Sequence, residues 1–159
     1  MKKALLVCVL ATAVFGTVKW MRHDAPAATQ SASLAMNRIW IDHIPRNDRD
    51  VFQVFIAITD DPFGIFQGLS QWTGKYELFN HETSGDQMRI VYPQTNEKEK
   101  VTTKATKCSV NDFDFCLELS GNTRGVKKYY SMDGWEIEAK ATPEQVEAKL
   151  AALQHSLVH

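Results

Sequence analysis

Between residues 37 and 141 the chain alternates apolar and polar positions with a period of two, as expected of β-strands that bury one face. In residues 88–92, Met88, Ile90 and Tyr92 fall on one side and Arg89 and Val91 on the other. In residues 113–120, Phe113, Phe115, Leu117 and Leu119 oppose Asp114, Cys116, Glu118 and Ser120. Residues 38–44 and 51–59 are rich in branched and aromatic side chains, with Pro45-Arg46-Asn47-Asp48 supplying turn chemistry between them. Asp60-Asp61-Pro62 ends the second run. Residues 63–80 read as one long curved strand with Phe66, Gly68, Ser70, Trp72, Gly74, Tyr76 and Leu78 on one face, its glycines marking bends. Turns at 83–86 and 94–97 follow, and the polar run 100–107 suits an exposed or edge strand.

Two further elements carry specific signals. Asp133-Gly134 lies between alternating runs, predicting a two-residue hairpin. That hairpin sets Met132 opposite Trp135 and Tyr130 opposite Ile137 on one face, with Tyr129 opposite Glu138 on the other. Thr142-Pro143-Glu144-Gln145 then opens a helix: Thr142 caps, Pro143 fits the first turn, and Gln145 completes a capping box. Its apolar stripe of Val146, Leu150, Leu153 and Leu157 suits packing on the barrel wall, with a dimer contact or a membrane surface as alternatives.

The expected fold is therefore mainly β: an antiparallel up-and-down barrel or strongly curved sheet of seven to eight strands with one C-terminal α-helix. Closure would remove the edges that so many hairpins otherwise leave open. Through Trp72-Thr73-Gly74-Lys75-Tyr76 and the helix after Glu138, the chain resembles the lipocalin-like barrels of the calycin architecture. The resemblance spans most of residues 37–157 and implies an interior able to take an apolar ligand. Because the aromatic-glycine order is W-x-G-x-Y, no ligand residue carries over.

Outside the alternating region the chain changes character. Lys2-Lys3 precede a run from Ala4 to Val18 without a charge, followed by Lys19 and Arg22. That run has the length of a secretory signal core and falls short of a comfortable membrane span, so residues 1–23 read as an export signal or a short anchor. Residues 24–36 are small and polar and read as a flexible spacer. The barrel is expected over 37–141 and the helix over 142–158. Localisation follows: exported, periplasmic or secreted, and membrane-bound only through an uncleaved N-terminus. With 18 basic and 19 acidic residues among 159, no net field recruits nucleic acid.

Catalytic motifs are missing from the sequence: no G-x-S-x-G, H-E-x-x-H, phosphate loop or S-x-x-K. Asp42-His43 and His81-Glu82 place an acid beside a histidine, but neighbours on a strand point to opposite faces, so neither reads as a dyad. No cofactor or metal is expected. Residues 121–125 with Lys127 and Lys128 form a small basic loop that reads as a solvated turn, with contact to an anionic headgroup as the alternative. Cys108 and Cys116 flank a turn at 110–112; they read as a disulfide, with a free reactive pair or a metal site as alternatives. Export favours the bond, and a loop centred on Asp112 sets the two cysteines opposite one another.

The candidate site is the aromatic inventory of the barrel interior: Trp72, Tyr76, Tyr92, Tyr130 and Trp135. Two functional readings stay open. One is an exported, non-catalytic barrel binding a small apolar ligand or lipid in its interior. The other is an envelope-associated structural or interaction module with a filled core, whose partner is an envelope protein.

Overall fold

A computed structural model describes residues 27–60, 62–70 and 74–158. The elements in order are α1 (Ala27–Ala35), β1 (Trp40–Ile41), β2 (Phe52–Ala57), β3 (Phe63–Leu69), β4 (Gly74–Ser84), β5 (Gln87–Val91), β6 (Lys98–Val110), β7 (Phe113–Ser120), β8 (Lys128–Ser131) and α2 (Pro143–Val158). The eight strands form a closed antiparallel barrel in which each pairs with its sequence neighbours and β1 closes onto β8 through Ile41 and Tyr130. This arrangement is compatible with a calycin-like barrel.

Alternation sorts the side chains into two clusters. The inward set holds Trp40, Phe55, Phe66, Phe79, Met88, Ile90, Tyr92, Leu117 and Tyr129. The second cluster lies on the outer face of β1–β3, where Ile41, Val54 and Ile56 meet α2 through Val146 and Leu150. β2 therefore reads apolar at nearly every position because both of its faces are covered. The helical stripe packs on the barrel wall, and Thr142 caps α2 as expected: its N–H donates to Gln145 Oε1 at 2.8 Å, and Gln145 N–H returns to Thr142 Oγ1 at 3.4 Å.

Several elements differ from the sequence reading. Residues 27–35, expected within a flexible spacer, form α1, which packs on β6. β6 outruns β5, which pairs only with Lys98–Thr102, so beyond Thr102 the strand stays paired with β7 on one side while its other edge has no strand partner. Thr103 N–H finds Asp86 O at 2.7 Å, and Ala105 N–H finds Ser31 Oγ at 2.8 Å. α1 covers that open edge, and Trp40 Nε1 fastens its far end by donating to Ala35 O at 3.0 Å. Local sequence carries no sign of this, because the edge belongs to a strand about 70 residues away.

The long strand expected over 63–80 is two strands. Leu69 pairs with Gly74, so the connection reverses the parity of every later position. The hairpin expected at Asp133-Gly134 keeps its turn, with Gly134 at φ 85°, but not its second strand. Residues 135–137 instead lie along the N-terminal edge of β1: Ile39 N–H donates to Trp135 O at 3.0 Å and Ile137 N–H to Asn37 O at 2.7 Å.

Cys108 and Cys116 form a disulfide with Cα atoms 5.7 Å apart. The expected register is shifted, for Cys116 stands opposite Thr106 and a bulge lies between Lys107 and Val110. The turn is the two residues Asn111-Asp112, at φ 48° and 71°, and Cys108 reaches its partner from within the bulge.

Candidate functional site

The register decides which aromatic residues face inward. Tyr92 is fully buried in the interior cluster. Tyr76 lies opposite Gln67, on the outer face, and is 67% exposed. Tyr130 and Trp135 belong to the outer cluster, where Phe113 stacks on Tyr130 at 5.1 Å and meets Trp135 edge-on at 6.2 Å. The interior residue on β8 is Tyr129, which sequence reading assigned to the polar face beside Glu138. Trp72 lies outside the described residues. Of the five candidates, the described structure places only Tyr92 inside.

The interior is packed. Phe55 lies 5.1 Å from Phe66, 6.0 Å from Phe79 and 5.8 Å from Tyr129, ring centre to ring centre, and Phe66 lies 5.2 Å from Phe79. Gly64 is part of the fit, since a Cβ there would sit 2.1 Å from the Phe79 ring. Such rings fill the bore that eight strands enclose. At one end Leu34, Ala35 and Met36 join the cluster behind α1.

At the other end residues 121–127 fold over the mouth. Arg124 holds this cap down: its guanidinium lies 4.2 Å over the Tyr92 ring, donates to Glu77 at 3.2 and 3.3 Å, and pairs with Glu97. Glu99 accepts from Tyr92 Oη and from Thr123 N–H and Oγ1, at 2.8 and 2.7 Å for the latter two. Asn122 Nδ2 reaches the carbonyls of Arg124 at 2.7 Å and Val126 at 3.0 Å, and Tyr129 Oη accepts from Val126 N–H at 3.0 Å. Burial, then the bond to Glu99, pushes the Tyr92 phenol up, and burial does the same for Tyr129, so both stay neutral. The bonds from Arg124 hold the Glu97 carboxyl below its ordinary range. The basic loop expected to be a solvated turn is thus a fastened cap, because Glu77 of β4 and Glu97 of the β5–β6 turn converge on its arginine and Glu99 of β6 holds Thr123 beside it.

A second cation, this one buried, stands at the opposite end. Arg38 donates to Met132 O at 2.7 Å and to Ser131 Oγ at 3.4 Å, pairs with Glu136, and lies 3.9 Å over the Phe115 ring. It joins the start of β1 to the Asp133-Gly134 turn.

Of the two acid–histidine neighbours, His81-Glu82 alternates across β4 as expected and Asp42-His43 does not. β1 ends at Ile41, so strand alternation does not reach Asp42-His43, and His43 Nδ1 lies 2.9 Å from Asp42 while Nε2 lies 3.4 Å from Asp50. Both ring nitrogens are engaged by carboxylates that in turn hold backbone N–H groups of Gln53 and Arg46, which makes the cluster a brace for the 42–50 loop. His81 is buried, its Nε2 2.9 Å from Ile58 O, and burial lowers its pKa and keeps it neutral. Among the described residues no three metal-donor side chains converge.

The larger concavities lie on the surface. One of about 1020 Å³ runs between α1, residues 102–107 of β6 and Glu136. Another of about 640 Å³ lies on the outer face of β4–β6, beside Arg89, Lys98 and Lys100. A search of family models, curated proteins and solved structures finds no match to this chain.

Proposed function

We propose that this protein is an exported, non-catalytic barrel that remains at the cell envelope and works through its outer surface. The observation that carries this reading is the packed interior: Phe55, Phe66, Phe79 and Tyr129 occupy one another's contact surface, with α1 across one end and the Arg124 cap across the other. A lipocalin-like ligand would have to displace those rings and lift a cap held by three glutamates. The N-terminal sequence, with Lys2-Lys3 before the uncharged run and Lys19 and Arg22 after it, supports an envelope location.

Native mass spectrometry of the purified protein, with tryptophan fluorescence against a panel of fatty acids and aromatic probes, tests the reading. The expected result is a bare mass and an unchanged emission spectrum. A stoichiometric co-purified lipid, or emission that saturates with one ligand, would restore the interior as the binding site.

A further inference from the structure

We infer that His81 is an acid-sensitive latch: its neutral ring holds the β2–β3 turn against β4, and protonation of that ring releases the turn. Alternation along β4 buries His81 with Phe79 and leaves Asn80 and Glu82 exposed. The His81 ring is 5% exposed and lies 6.0 Å from the Phe79 ring, centre to centre. Its Nε2 lies 2.9 Å from Ile58 O. A carbonyl only accepts, so Nε2 carries the proton and Nδ1 of the neutral ring keeps a bare lone pair. That Nδ1 is buried and has no hydrogen-bond partner among the described residues. Both ends of the turn meet at this one residue. Ile58 is held by the ring, while the His81 N–H donates to Pro62 O at 2.9 Å, and Ile58 N–H closes the turn on Phe63 O at 2.9 Å.

A proton added at Nδ1 puts a cation where neither water nor a carboxylate of the described residues meets it. Ile90 stands directly opposite on β5, and from β2 and β3 the ring meets the carbonyls of Ile58 and Phe63. The charged groups of the surrounding elements are turned elsewhere. Glu82 pairs with Arg89 in water, Asp60 is exposed, and Glu99, opposite Ile90 on β6, is held by Tyr92 and Thr123. Asp61 lies outside the described residues. Burial lowers the ring's pKa from 6.5, and the two carbonyls offset only part of that cost. A ring turned out to water binds its proton at the ordinary value and the buried ring does not. The closed turn is therefore fully favoured above 6.5 and loses ground as the pH falls below it. Swinging the ring outward avoids the buried cation, and it gives up the bond to Ile58 O that holds the turn.

The test compares amide protection factors from hydrogen exchange at about pH 7.5 and about pH 5.5 in the full chain and in His81→Gln, whose side-chain amide can donate to Ile58 O but takes no proton. Protection of the Ile58 and His81 amides should fall about fivefold on acidification in the wild type, and that of Ile58 and residue 81 should stay level in the variant. The other histidines are common to both proteins and cancel in the comparison. Because a buried position can reject a substitution, NMR titration of the wild-type ring is the second measurement, and His81 should take its proton below 6.5. A midpoint at or above that value would overturn the proposal. So would an equal fall in His81→Gln, or wild-type protection that holds level or rises on acidification, the last being the result if a carboxylate holds the ring as a cation.

Discussion

Gly125 and Arg124 show how single residues close the barrel. Gly125 has φ 66°, and a Cβ there would meet Tyr129 Oη at 2.1 Å and Phe66 at 2.8 Å. Gly125→Ala should therefore destabilise by about 2 kcal/mol or more, from the left-handed backbone and the overlap together, read by chemical denaturation. The Glu97 carboxyl, lowered by its bonds to Arg124, binds its proton more weakly folded than unfolded. Its contribution is therefore present above its ordinary value of 4.5 and lost as the pH falls below it. The protection factor of the Val126 amide against hydrogen exchange should fall across that acid range, and Arg124→Gln should remove this pH dependence of protection. Arg38→Met should cost about 1 to 3 kcal/mol by leaving Met132 O without its donor. The sequence marks Arg124, Glu97 and Arg38 only as loop or strand polar groups. Their roles come from partners 47 residues away for Arg124 and Glu77, and 94 for Arg38 and Met132.

Elements were legible where a local pattern sufficed. β5, β7 and the α2 capping box match the sequence because alternation and capping are contained within a few residues. The disulfide was also legible as a pairing, though not in register, since the bulge before Val110 leaves no mark in the parity of the run. Replacing both cysteines by serine should lower stability by about 2 to 3 kcal/mol, seen as a lower melting temperature with the barrel's circular dichroism retained. α2 is a structural element: Leu150 is 4% exposed against the barrel wall. Leu150→Asp should cost about 3 kcal/mol or more and expose the β1–β3 face to a hydrophobic dye.

For the molecule as a whole, closure encloses a bore that the barrel's own side chains fill. An eight-stranded barrel admits either a ligand or its own side chains, and the choice turns on how many large residues point inward. The candidate site fared poorly on this point. Tyr76 was assigned inward by counting through residues 70–73 as strand, and the Leu69–Gly74 pairing puts it outside. Tyr130 and Trp135 were correctly placed on one face, but that face is the outer one, because β8 is covered on both sides.

The sequence by itself determined the strand periodicity, the single C-terminal helix, the turn at Asp133-Gly134 and the cysteine pair, all of which rest on spacing along the chain. Tertiary structure decided which face is inside, that α1 seals the β6 edge, and that Arg124 fastens the cap. Those outcomes depend on register and closure: one residue added in a turn or bulge exchanges the faces of a strand while leaving its alternation unchanged.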